Sequence, residues 1–426
     1  MNIIFVINKI YYGKGANISR VKSKRGKRIL RNKQLGGFLS PSRIFLAIVF
    51  IEFISWLLWN PTSLGTVRYL SINSFLIYML ANVFFLMGTK SLKRLTKFSL
   101  VVDYSKLKYV FVIFASLSLF AMWGFILKPF LKYGFIPFSM KVFSDLNLHV
   151  GGSIQSYFLE NIGINFFILR WMLVPTFAIL QELRVSKNIS KMNYIFLCVI
   201  FLSTDLIYSL SVSSIMSFVE MLLVFIILFW RVRIKIFNAL LFVVLLYIIF
   251  AVMVFFKRAN YYGYNSFGMQ SISLIGIRHL IMYFGTSLNY GFYLIDNYNT
   301  ISFSKGVFGV IYAWLNIGSG RETYYSLVNS PVFAGGYTTM SGYGQLAFTC
   351  GGLLIPIALF FVGIFLGRIY NNFERNVLYR LIYPFAVMGI LEFARYFYFT
   401  NTHFVSALFV GLVAVLMSNP KLRRNK

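Results

Sequence analysis

The chain has 426 residues, 58% of them hydrophobic, 19% aromatic and only 12% charged, with a net charge of +30. That composition excludes a soluble globular enzyme of this size, because apolar stretches of about 20 residues recur along it. The positive charge raises nucleic-acid binding, but its concentration in the N-terminal tail and in turns on one side of the apolar stretches leaves that class little support.

Residues 1–43 read as a basic, disordered tail, rich in Lys22, Lys24, Arg25, Lys27, Arg28 and Arg31. Its first apolar run, Ile3 to Ile7, is too short for a signal peptide and leads into basic residues rather than a cleavage site. Ten transmembrane spans are predicted after it, at about 44–59, 69–88, 109–127, 162–181, 194–210, 212–230, 236–256, 343–366, 381–399 and 404–418. The expected fold is therefore an all-α polytopic membrane protein, with one transmembrane domain over 44–418 and a basic C-terminal piece at 419–426. With the N-terminus inside, the cytoplasmic segments carry 30 of the 41 Lys and Arg and only three acids, Asp103, Glu182 and Glu374. This is the positive-inside pattern, and it places both termini in the cytoplasm. Two long external segments result, 128–161 and 257–342. No P-loop or other nucleotide fingerprint occurs, so the chemistry is expected in or outside the membrane, without a cofactor. Cys198 and Cys350 lie in apolar spans and set no disulfide framework, and His149, His279 and His403 are too scattered for a zinc site.

Ionisable side chains inside spans are costly and so point to function. Arg170 falls near the middle of the fourth span and must face a wet cavity, an anion, or a buried acid such as Asp205 or Glu220. Glu392 and Arg395 share a helix face at i and i+3 and are expected to satisfy each other, with Arg395 also able to line a cavity. Glu52 and Asp205 have no evident partner in the sequence, and such acids keep a proton-coupled transporter in view. Against transport, no matched pair of Gly/Pro-broken spans marks an inverted repeat.

The 257–342 segment carries Lys257, Arg258, Arg278, His279, Arg321 and Glu322, together with 11 of the 28 tyrosines. From Ser271 to Asp296 its apolar residues recur at helical spacing, which predicts one or two helices on the outer membrane surface. Gly285, Thr286, Ser287, Asn289 and Gly291 argue against a further span there. Several arginines on one outer face, without a paired-acid motif, suit the binding of a diphosphate, since guanidinium groups grip phosphate oxygens bidentately at any pH. Tyrosine faces beside them suit sugar rings.

The segment ends in Gly335-Gly336-Tyr-Thr-Thr-Met-Ser-Gly-Tyr-Gly-Gln345-Leu-Ala-Phe-Thr-Cys-Gly351-Gly352 and runs into a span closed by Gly363, Gly367 and Arg368. This resembles the C-terminal signature of the Wzy-type oligosaccharide repeat unit polymerases, or O-antigen polymerases. There a Gly-rich stretch leads into a span of the form Gly-Glu-x-x-x-x-x-Gly-x-x-Gly. The likeness covers residues 335–368 by motif and most of the chain by plan, and it departs at Gln345, where relatives often carry an acid. It implies transfer of a glycan from undecaprenyl diphosphate, by its reducing end, onto another lipid-linked repeat unit at the bacterial inner membrane, without a metal. It also implies membrane lipid, a chain-length regulator and a flippase as partners. Under this resemblance Arg258, Arg278 and Arg321 hold the diphosphate, Arg170 or Arg395 lies below them, and Tyr343 contacts substrate. His279 or Glu322 then orients or deprotonates the acceptor hydroxyl. An O-antigen ligase, which uses the same donor, and a lipid-linked oligosaccharide flippase are the alternatives.

Overall fold

A computed structural model describes residues 39–61, 66–91, 98–133, 168–212, 216–229, 244, 247, 248, 251, 272–298 and 340–424. The described part is mostly helical. Six helical segments are long and apolar enough to cross a membrane: Pro41–Leu58, Ile72–Ser91, Tyr104–Leu127, Lys191–Ser209, Gly352–Asn371 and Val377–Ala394. Two shorter apolar helices, Ser217–Leu228 and Thr402–Met417, accompany them. Most of the predicted span at 236–256, of the basic tail and of the external segment at 128–161 lies outside the described residues.

Helix α1 (Pro41–Leu58) starts with proline in its first turn, where the missing N–H has no helical partner to lose. It stops at Trp59, whose carbonyl, like that of Leu57, accepts from the Arg68 guanidinium. Helix α2 (Ile72–Ser91) follows, and a short strand β1 (Phe98–Val101) leads to α3 (Tyr104–Tyr133). Asp103 opens α3 by accepting from the Ser105 amide and hydroxyl, bonds that hold its carboxyl below the usual range. A 3-10 turn (Ile168–Met172) leads into α4 (Leu173–Val185), then come α5 (Lys191–Val212) and α6 (Met216–Val224), extended by a π turn over Phe225–Phe229. Arg170 thus stands in the turn that enters a helix, rather than in the middle of a helical span as the apolar run predicts.

Helix α7 (Ile272–Asn297) is one continuous helix over the stretch where surface helices are expected. Its polar residues do not mark a wet face: every residue from Gly285 to Phe292 is buried. The Thr286 and Ser287 hydroxyls donate back to the carbonyls of Met282 and Tyr283. Asn289 is consumed by the Trp56 indole, the Tyr69 amide and the Val67 carbonyl. Polarity satisfied inside the fold gives the same sequence signal as polarity facing water.

The predicted span at 343–366 is two helices. The first, α8 (Gly342–Cys350), is capped by the Ser341 hydroxyl and ends at Gly351, whose φ of 79° suits a residue without a Cβ. The second, α9 (Ile355–Asn371), runs along α2. Tyr343, at the start of α8, bonds Asn82 midway along α2. Gly352, just past its end, lies against the Ile295 carbonyl, next to Asp296, which accepts from Tyr69, Ser71 and Asn73 where α2 begins. Nine helical residues rise about 13 Å, so α8 is a half-length helix, and the chain reverses at Gly351–Gly352 into α9. Between α9 and α2 the backbones touch. A Cβ on Gly88 would collide with the Phe360 carbonyl, one on Gly363 with the Phe85 carbonyl, and one on Gly367 with the Thr89 carbonyl. The glycines that carry the family resemblance therefore have a packing role.

Helix α10 (Val377–Leu391) is capped by Asn376, and α11 (Thr402–Met417) leads to strand β2 (Lys421–Arg424). β2 pairs antiparallel with β1, Val101 opposite Lys421 and Phe98 opposite Arg424, an element the all-α expectation lacks. At this end of the helices, Arg380 on α10 bonds Glu182 on α4 through two nitrogens, at 2.7 and 3.0 Å, and Tyr104 donates to the same carboxylate at 3.0 Å. Among the described residues, parts of the turns at 98–104, 182–184, 374–380 and 421–424 thus meet at one end of the bundle.

Candidate functional site

The opposite end of α10 gathers the other charges. Helix α10 passes into a 3-10 turn at Glu392–Ala394, and the chain stays irregular, apart from a second 3-10 turn at Tyr398–Thr400, until α11 begins. This break sets Glu392, Arg395, Tyr396, Tyr398 and His403 side by side at the far end of a helix about 22 Å long.

Two linked groups form there. In the first, Arg395 donates from Nη1 to Glu392 at 2.7 Å and from Nη2 to the Tyr283 hydroxyl of α7 at 2.9 Å, with its guanidinium 4.6 Å from the Tyr283 ring. The Glu392–Arg395 pair is the one expected from their spacing. His279, one helical turn before Tyr283, is buried with its ring 5.5 Å from the Tyr283 ring. Asn401 holds the Tyr396 hydroxyl at 3.1 Å, and the Gln345 side chain accepts from the Phe397 amide at 2.6 Å. Gln345, at the family's acid position, is thus a backbone anchor between α8 and this linker.

In the second group, Glu220 of α6 accepts from the Tyr398 hydroxyl at 2.5 Å and faces Nδ1 of His403 at 2.8 Å. A proton on Nδ1, donated to Glu220, leaves Nε2 as the acceptor nitrogen of His403. The His403 ring packs on Trp171 at 4.3 Å, and the Arg170 guanidinium lies 4.5 Å from Trp171 and 4.4 Å from Phe125. Asp205, also fully buried, accepts from Ser217 at 2.8 Å. In a low-dielectric setting such groups interact strongly, and the arginines keep their charge whatever the pH.

The structure brings Arg170, His279 and Arg395 to this end of the bundle. Arg278 is exposed on the neighbouring face of α7. Tyr343, on α8, is fully buried, with its hydroxyl on Asn82 of α2 and its ring 4.8 Å from that of Phe393. Arg258, Arg321 and Glu322 lie outside the described residues. Glu220 and His403 are central here, yet they are 183 positions apart, and no local spacing links them. Among the described residues, no three His, Cys, Asp or Glu side chains converge as a metal site requires. No protein-family model, no curated protein and no solved structure matches the chain.

Proposed function

We propose that the protein polymerises undecaprenyl-diphosphate-linked oligosaccharide repeat units on the external face of the bacterial inner membrane, with about ten spans and both termini in the cytoplasm. The observation that supports this most is the partly buried group of Arg395, Glu392, Tyr283 and His279, beside Glu220, His403 and Arg170, at the end of the helices away from the basic turns. In the reaction an acceptor hydroxyl oxygen attacks the anomeric carbon of the donor. The bond from that carbon to the diphosphate oxygen breaks, and undecaprenyl diphosphate leaves with the electron pair. Arg278, with Arg258 and Arg321 of the same segment, binds the diphosphate, and Arg395 or Arg170 lies deeper. Fixed cations aimed at the leaving group stabilise the charge that develops on it, so no metal is required. His279 or Glu322 receives the proton of the acceptor hydroxyl.

Replacing Arg278 or Arg395 with alanine, in a strain that depends on this protein, is expected to abolish long surface polysaccharide on a silver-stained gel. Single repeat units capped on the core should persist. Normal chain-length ladders from both variants, at wild-type protein levels, would rule out this assignment.

A further inference from the structure

Glu52, on α1, is fully buried. Among the described residues, neither of its carboxyl oxygens meets a hydrogen-bond donor. Tyr78 from α2 and Tyr343 from the half-helix α8 are near it, and Asn82 of α2 lies beside both tyrosines. Tyr78 directs its hydroxyl to the Val49 carbonyl at 3.4 Å. Tyr343 donates to Asn82 Oδ1, and Asn82 Nδ2 has no acceptor among the described residues. Phe292 of α7 and Phe393 of the turn after α10 close the surroundings with apolar rings against Tyr78 and Tyr343.

An ionised carboxylate without a partner costs far more in such surroundings than folding supplies, and a group in that position takes up a proton instead. The neutral acid offers one donor and one acceptor. The unsatisfied Asn82 N–H needs an acceptor. One water that accepts from Asn82 and exchanges hydrogen bonds with the acid satisfies all three atoms.

We propose that Glu52 is a proton-binding site inside the bundle, holding its proton at neutral pH and sharing a water with Asn82. The proton keeps α8 seated. Tyr343 ties the start of that helix to Asn82, and Gln345, one half-turn on, holds the Phe397 amide beside Arg395. Ionising Glu52 would place a bare charge against the start of the half-helix and loosen the linker that carries Arg395.

Infrared difference spectroscopy on the purified full chain at neutral pH tests this, comparing wild type with Glu52→Gln. The expected result is a protonated-carboxyl C=O band in wild type that is lost in E52Q, while E52Q stays monodisperse with an unchanged thermal midpoint. If E52Q does not fold, Asn82→Leu serves, and the acid band is expected to shift as its water partner is removed. An E52Q spectrum that loses a carboxylate band would overturn the proposal. So would a wild-type acid band that vanishes on adding sodium at constant pH, or an acid band unmoved in N82L.

Discussion

Replacing Gly363 with leucine is expected to leave little monodisperse protein after detergent extraction, with a thermal midpoint well below wild type in whatever remains. Gly363 meets the Phe85 carbonyl of α2 where two helical backbones touch, and Gly88 and Gly367 lie on the same line of contact. A backbone oxygen cannot swing aside as a flexible side chain can. Overpacking of a tight core costs about 1–3 kcal/mol even where side chains adjust, and here the helices must part along their length. The close approach of small residues is also what draws helices together in lipid, where tails compete for apolar contact. Phe361, on the same helix and 63% exposed, is the control. Phe361→Leu should extract and melt as wild type does. Equal behaviour of G363L and F361L would contradict the packing described.

Replacing Arg380 with alanine is expected to destabilise the protein by about 3–5 kcal/mol, because it strands a buried carboxylate. The Arg380 and Glu182 side chains are 9% and 2% exposed, and the pair joins α10 to α4. Arg380 also donates to the Glu374 carbonyl at 3.0 Å, so alanine leaves a second acceptor unmet. The double variant Arg380→Met with Glu182→Leu should recover much of the loss, since an apolar pair avoids desolvating either charge. Thermal unfolding in detergent reads both. A single variant as stable as wild type would show that the pair carries no structural weight. A double variant worse than the single would show that the ionic contact itself is needed.

Much of the fold is legible in the sequence because long apolar runs between charged turns have few structural alternatives. The helices Pro41–Leu58, Ile72–Ser91, Tyr104–Leu127 and Lys191–Ser209 overlap predicted spans closely. The break at Gly351 was hidden because the residues on both sides are apolar, so composition reads them as one span. Thr286, Ser287 and Asn289 argue against a further span, and α7 is not among the six membrane-length apolar helices, but their burial is not legible in the sequence: each finds its partners within α7, on α1 or on the α1–α2 loop, and a sequence does not display partners. Arg170 read as mid-span because hydropathy does not distinguish a 3-10 turn from a helix.

The candidate site was legible in part. Glu392 and Arg395 follow from helical spacing, and Arg395 and His279 were singled out by charge alone. Glu220 and His403 could not be paired from sequence, because their contact depends on how α6 and α11 pack. Gln345 looked like the vacant seat of a catalytic acid. Its carbonyl oxygen instead anchors the backbone of the linker that carries Arg395.

The surface glycan of a strain lacking this protein tests the central claim most directly. Loss of polymerisation predicts core molecules capped by one repeat unit and no long chains, restored by the wild-type chain. A bare core with accumulated lipid-linked polymer would mean ligation instead, and lipid-linked units trapped on the cytoplasmic face would mean flipping. Either result would contradict the polymerase account.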